Sequence, residues 1–397
     1  MSPESALPLP DADARAHSER LVALVRAEIV AAGGWIPFSR YMDLALYAPG
    51  LGYYAAGATK LGAAGDFVTA PEMSPLYACA ISAQVAAILD ATEGRELVEL
   101  GAGTGRLAVG LLHALAARGT LPSTYTILEP SPDLREQQRM MLARDAARHL
   151  PCVRWVDALP VAIDGAVIAN EVLDAIPVHL IARRGETWRE RGVIVADRQR
   201  AGTDPDGPAF EWDERPADAW LSSLAEARYP PAGDYLSELN PAAEALVEAI
   251  GRQLVGGALL LVDYGFPAAE YYHPQRSAGT MMCHYRHRSH DNPFVLPGLT
   301  DITAHVDFSA IAAAGVRAGL AVAGFTAQAP FLLGCGILDA LAATGEPGSF
   351  AYLKSAAPVQ KLLSPAEMGE LFKVLALERS SGIAWPGFTM VDRSDRL

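Results

Sequence analysis

Cysteine is scarce in this 397-residue chain: Cys79, Cys152, Cys283 and Cys335 stand far apart, with no CxxC pair and no Cys/His ligand spacing. That excludes a disulfide framework, gives no metal site, and fits a reducing compartment. Positive charge is also short. With 32 Lys and Arg against 46 Asp and Glu, the formal net charge is −14, so the surface repels phosphate backbones and no nucleic-acid partner is expected. No apolar run approaches the roughly 18 to 20 residues that cross a bilayer, so no membrane association is expected. The opening Met1-Ser2-Pro3-Glu4-Ser5-Ala6-Leu7-Pro8 lacks the basic and apolar regions of a signal peptide and is too acidic for a mitochondrial presequence. These features predict a cytoplasmic protein. Internal repeats are lacking too, while 51% apolar residues are ample for a buried core.

What is present is an α/β rhythm. Residues 1–16 are Pro- and Ala-rich and read as a disordered tail, followed by an amphipathic helix from Glu19 to Ala32. The stretch from Trp35 to Thr69 mixes Gly and Pro with many aromatics, which reads as ordered loop that covers something. From Glu96 short apolar strands alternate with helices: strands at Leu97–Leu100, Tyr125–Leu128, Val153–Val156 and Val167–Ala169, helices at Leu107–Ala117 and Asp133–Ala147. That alternation predicts a doubly wound, mostly parallel sheet. Hairpin-like runs follow Pro177; helix Pro241–Leu254 and strand Ala258–Val262 then restore the rhythm. Helices are expected near Phe308–Ala318, Phe331–Ala342 and Pro365–Leu375, with late strands at Leu320–Phe325 and near Phe388–Val391. The predicted organisation is a cap over 17–94 and an α/β domain over 95–397 with insertions at about 178–235, 266–300 and 331–380.

Chemistry concentrates at Glu99-Leu100-Gly101-Ala102-Gly103-Thr104-Gly105, where a strand runs into a glycine turn that opens a helix. Gly101 and Gly103 permit a tight turn and close approach of a ligand, and Gly105 lets the helix begin near the sheet. The helix N-terminus then turns free N–H groups into the crevice. A glycine turn alone could bind NAD or merely connect two elements. Here the spacing is G-x-G-x-G rather than G-x-G-x-x-G, and Glu99 ends an otherwise apolar strand. A buried carboxylate needs a partner, which the ammonium group of S-adenosylmethionine supplies and an NAD pyrophosphate would not. Glu129, followed by Pro130, ends the second strand and could accept both ribose hydroxyls, unless it is only a surface or capping residue. Asp157 ends the third, where it could touch the adenine amino group or be a plain strand-end acid.

With these residues in place the chain resembles the MidA-like family of class I methyltransferases, related to the mitochondrial arginine methyltransferase that assists respiratory complex I assembly. The resemblance rests on Gly52-Tyr53-Tyr54, on Gly65-Asp66-Phe67-Val68-Thr69-Ala70-Pro71-Glu72 and on the Gly101 turn. It rests further on Asn170-Glu171-Val172-Leu173-Asp174-Ala175-Ile176-Pro177, on Asp263-Tyr264-Gly265 and on Thr303-Ala304-His305-Val306-Asp307-Phe308. It implies a Rossmann-like class I methyltransferase fold with an N-terminal cap, inserted hairpins and C-terminal helices. It also implies S-adenosylmethionine as cofactor and a protein arginine as substrate, with Gly65, Asp66, Phe67 and Thr69 closing over the cofactor.

Asn170 and Glu171 follow the fourth strand, beside the transferring methyl in this class, and with Asp174 form the expected catalytic set. A guanidinium presents five N–H donors in a planar fork, so Glu171 and Asp174 could hold it and aim one nitrogen. Either could instead be structural, Asp174 as a cap. The run His284-Tyr285-Arg286-His287-Arg288-Ser289-His290-Asp291 reads as a substrate-facing or exposed loop rather than a metal site, because arginines interleave its histidines. His305 and Asp307 could be a structural or a catalytic pair. Rival readings are a cofactor-binding assembly factor with little catalysis and an NAD-dependent oxidoreductase.

Overall fold

In the computed structural model, which describes residues 7–55, 69–197, 209–230, 233–380 and 382–397, seven long strands build the central sheet. They are β1 (Glu96–Leu100), β2 (Thr124–Leu128), β3 (Val153–Val156), β4 (Ile163–Asn170), β5 (Leu254–Phe266), β6 (Ala321–Ala327) and β7 (Phe372–Glu378). Their spatial order is β3-β2-β1-β4-β5-β7-β6, with the short strand Val306–Asp307 added beside β5. The first five run parallel and β7 runs antiparallel to both of its neighbours. Parallel strands must be covered on both faces, which is why they read as continuous apolar runs. Along β5, Leu260 and Val262 pack to one side and Leu259 and Leu261 to the other, and all four are buried.

Six helices matter for the site: α1 (Ala12–Ala31), α2 (Phe38–Tyr47), α3 (Ala70–Met73), α4 (Pro75–Asp90), α5 (Arg106–Arg118) and α6 (Pro132–Asp145). Helix α1 begins at Ala12 rather than Glu19, because Asp11 caps it by accepting the Ala14 N–H at 2.8 Å. Its buried stripe of Leu21, Val25 and Ile29 packs with Phe38 and Tyr41 of α2 against the inserted strands. Ile36–Pro37 pairs antiparallel with Thr187–Val195, in a five-stranded sheet with His179–Arg184, Phe210–Pro216 and Tyr235–Leu239. The N-terminal segment and the insertion after Pro177 therefore share one core, closed by Tyr41, Phe210, Trp212 and Phe294 rings.

Two late elements differ from the sequence expectation. Met368 and Leu371 suggest helical spacing up to Leu375, yet the helix is only Met368–Leu371 and Phe372–Glu378 is strand β7. The space between β5 and β6 needs a strand buried on both faces, and the run Phe372-Lys373-Val374-Leu375-Ala376-Leu377 supplies it. Lys373 is tolerated there because its ammonium reaches back to the Glu370 carbonyl. The insertion expected over 331–380 therefore stops short of β7. Near Phe388 there is no strand: Pro386 opens a 3₁₀ turn, and Phe388 packs edge-on against Phe331 at 5.4 Å.

Candidate active site

Strands β1, β2, β3 and β4 end level with one another, Leu100 opposite Leu128 and Ala169, and Leu128 opposite Val156. The cleft lies beyond these ends, where open α/β sheets bind ligands. Gly101, Gly103 and Gly105 all adopt positive φ, at 59°, 53° and 87°. A Cβ on Gly101 would stand 3.1 Å from Val172 Cγ2. The turn thus lies against the β4 loop, and side chains are kept off it.

Glu99 is buried beneath the turn, where Tyr125 Oη donates to its Oε2 at 2.7 Å. Burial holds its pKa up at about 7. The buried Glu129 accepts the Ser131 N–H at 3.0 Å and Gln138 Nε2 at 3.1 Å, and Gln138 also donates to the Gly103 carbonyl at 2.9 Å. Gln138 thereby ties the ends of β1 and β2 together. Glu129 is raised by burial, which outweighs these donors. Ala102, Pro130 and Thr69 line the cleft. Asp157 does not. Its side chain is 87% exposed and pairs with Arg135, so the structure leaves it outside the cleft. Gly65, Asp66 and Phe67 lie outside the described residues.

Beyond β4, Tyr77 Oη donates to Asn170 Oδ1 at 2.5 Å, and Asn170 Nδ2 donates to Glu171 Oε1 at 3.1 Å. Glu171 is a non-glycine residue at φ 54°, a left-handed conformation that needs support from its surroundings. The support comes from Asp263, within the last part of β5. Its Oδ2 accepts the N–H groups of Val172, Leu173 and Asp174 at 3.2, 2.9 and 3.3 Å, while Glu171 N–H reaches the Val262 carbonyl at 2.9 Å. Tyr264 Oη donates to Asp174 Oδ2, and Asp174 Oδ1 is buried without a well-formed hydrogen bond. The cap closes the cleft through Tyr47 and Tyr54, whose rings stack at 5.7 Å.

Asp263, Tyr77, Tyr125 and Gln138 carry no role in the sequence reading. Only Asp263 left a signal, an acid closing an apolar strand, the pattern that drew attention to Glu99. Replacing Asp263 with Ala orphans three N–H groups, so destabilisation of about 2–3 kcal/mol is expected in urea unfolding. A loss below about 0.5 kcal/mol would mean the loop holds its shape without Asp263.

Burial, with Asp174 adding to it, pushes Glu171 up to about 8, and burial pushes Asp174 up to about 6. An acid with a higher pKa folded than unfolded takes up a proton on folding. Its stabilising contribution is complete below the ordinary value of 4.5 and is lost as pH rises towards 8. Glu171→Gln lacks this titration. Its melting temperature should therefore gain on the wild type between about pH 5 and pH 8, and parallel pH profiles would sink the assignment.

His305 and Asp307 stand apart from the cleft. Asp307 caps the helix Phe308–Arg317 by accepting the Ala310 N–H at 3.1 Å, and His305 stacks on Phe266 at 5.2 Å. Burial lowers the His305 pKa to about 4. In the His284–Asp291 segment, Met282–Tyr285 and Arg288–His290 form a hairpin, with Arg286 donating to the Leu9 carbonyl at 3.3 Å.

Among the described residues lining the cleft, Glu72, Glu99, Glu129, Glu171 and Asp174 are carboxylates and Arg106 is the one cation. A dinucleotide pyrophosphate would meet mostly repulsion there, whereas a sulfonium and an ammonium are attracted. The glycine cradle and the donor set therefore fit S-adenosylmethionine.

Comparison with known proteins agrees. Residues 80–326 match the family model of S-adenosyl-L-methionine-dependent methyltransferases. A Burkholderia thailandensis protein crystallised with S-adenosyl-homocysteine is 50% identical, covers 99% of this chain and 100% of its own, and superposes with a TM-score of 0.92. Curated relatives include the protein arginine methyltransferase NDUFAF7, mitochondrial, of Danio rerio, 28% identical over 90% of this chain and 87% of that protein. The Drosophila melanogaster homolog is 30% identical over 93% of this chain and 87% of that protein. Their mitochondrial names overturn the cytoplasmic expectation: N-terminal composition does not assign a compartment to a fold shared with organellar proteins. Among the described residues, no helix is long and apolar enough to cross a membrane. The glycine turn, the acids at the strand ends and these matches together establish that the chain belongs to the S-adenosyl-L-methionine-dependent methyltransferase family.

Proposed function

We propose that this enzyme methylates an arginine side chain of a protein, with Glu171 and Asp174 receiving the guanidinium. The observation that carries the reading is the pair of buried carboxyls, Asp174 and Glu171, that line the cleft together, Asp174 Oδ1 being left short of a well-formed hydrogen bond although the N–H groups of Asp174 and Ala175 lie near its carboxyl. An unsatisfied buried acceptor of this kind calls for a ligand N–H. Two carboxylates suit a planar fork of donors better than a single point charge. The names of the curated relatives support the same substrate class.

S-adenosylmethionine supplies a methyl group on a sulfonium leaving group. Methyl transfer is an in-line displacement, so the protein's contribution is alignment and removal of a proton. Asn170 orients Glu171 through its 3.1 Å bond, and the cationic guanidinium draws Glu171 into its ionised form, in which it holds the nitrogen and takes its proton. Glu129 accepts the ribose hydroxyls. Glu129→Ala should weaken S-adenosyl-homocysteine binding by roughly 1.5–3 kcal/mol in calorimetry with the fold intact. Unchanged affinity would assign the ribose to another residue.

The substrate class is tested with labelled methyl donor, purified enzyme and lysate of a strain lacking this chain. Methylarginine in a protein, found by mass spectrometry, is the expected product. Label confined to small molecules or to other side chains would overturn the reading.

A further inference from the structure

The donor carries one negative group, the carboxylate of its amino-acid head, in a cleft dominated by acids. Arg106 is the first residue of α5, so its guanidinium stands beside a helix N-terminus that itself favours an anion. Arg106 Nε lies 3.7 Å from Glu72 Oε2 and its Nη1 lies 3.8 Å from Asp145 Oδ2, both beyond hydrogen-bonding length. The Arg106 side chain is 40% exposed, whereas that of Glu72 is only 14% exposed. Glu72 is fixed by Thr104 of the glycine turn, whose hydroxyl donates to Oε1.

We infer that Glu72 and Arg106 form a two-residue clamp for the zwitterionic head of the donor, Arg106 taking the carboxylate and Glu72 the ammonium, the role expected of Glu99, whose buried carboxyl is bonded by Tyr125 instead. An α-amino acid presents opposite charges on one carbon, and this loosely closed ion pair presents the complementary two. Elsewhere in the described cleft a carboxylate would face Glu99, Glu129, Glu171 or Asp174 without a compensating cation. Glu72 comes from α3, which packs against α4 and α5, and Arg106 from the first turn of α5. The Ala70 N–H, also in α3, bonds the Glu171 carboxylate. The donor head thus joins α3 to the glycine turn at the element that also touches the methyl-accepting end. This inference needs the methyl donor but not the arginine substrate.

Calorimetry with three probes tests it: S-adenosylmethionine, its decarboxylated form, which keeps the amine, and 5′-methylthioadenosine, which lacks the whole head. Arg106→Gln should weaken S-adenosylmethionine on the order of 10- to 100-fold and leave the decarboxylated form within about 2-fold. Arg106→Lys should restore part of the loss, since the charge remains and the fork does not. Glu72→Gln should weaken both amine-bearing probes and spare methylthioadenosine. Equal losses for methylthioadenosine would make the pair a scaffold and overturn the clamp, as would unchanged affinity for S-adenosylmethionine in Arg106→Gln. Melting curves of each variant, with Arg106→Lys as the mildest change, keep misfolding from passing as lost recognition.

Discussion

Gly101→Val is expected to abolish binding of S-adenosyl-homocysteine, leaving no measurable heat in a titration where the wild type saturates. Two effects add. The backbone at φ 59° is left-handed, which costs an L-residue roughly 1–2 kcal/mol and a β-branched one more. The new Cβ would also stand 3.1 Å from Val172 Cγ2, and its two methyls need space that the turn and the ligand share. Val172 belongs to the loop carrying Glu171, so relief by shifting that loop would disturb the other half of the cleft. Loss of roughly 1000-fold or more is the expectation, and affinity within 10-fold of wild type would show that the ligand does not lie on this turn.

Glu171→Gln has the second-largest expected effect, and it is selective. Gln keeps the shape and can still accept from Asn170, but it cannot ionise, so a bound guanidinium finds no negative charge to draw out at this position and no base to take its proton. Methyl incorporation should fall roughly 100-fold or more, the scale for loss of a positioned base. Donor affinity should stay within a few fold, because in the proposed reading Glu171 meets the acceptor and not the donor head. A structural Glu171 behaves differently: affinity and melting temperature would fall together, since disturbing a buried partnered group costs stability. At pH 8 the variant should even melt at or above the wild type, because burial works against the charged Glu171.

The two variants divide the cleft between them. In the proposed reading Gly101 lies on the donor side and Glu171 on the acceptor side, and Val172 and the Asp263 carboxyl stand between the turn and the β4 loop. Asp263 also explains why Glu171 can hold a left-handed backbone. Successive N–H groups of residues 172–174 converge on one carboxylate, an anion nest filled from within the protein. The cost of the strained residue is offset by hydrogen bonds from the next strand.

Much of this was legible in the residues alone. The glycine spacing, the acids at Glu99 and Glu129 and the alternating strands follow from local rules: a parallel strand must be apolar, a crevice turn must lack side chains, and a buried acid must have a partner. Those rules act within a few residues, so the sequence determines them directly. It determined the α/β class, the glycine turn after β1 and the position of Asn170-Glu171 at the end of β4.

The tertiary structure decided what depends on residues far apart in the chain. Asp157 reads like Glu129, yet Arg135 draws it to the surface while Gln138 draws Glu129 inward. Phe372–Glu378 reads as the end of a helix, and becomes a strand because β5 and β6 leave a gap between them. His305 and Asp307 read as a pair, and separate into a stacked ring and a helix cap. The support of Glu171 by Asp263 spans some ninety residues and the meeting of Glu72 with Arg106 brings α3 onto the start of α5. Contacts of that kind depend on where separate elements pack, and only the assembled fold sets that.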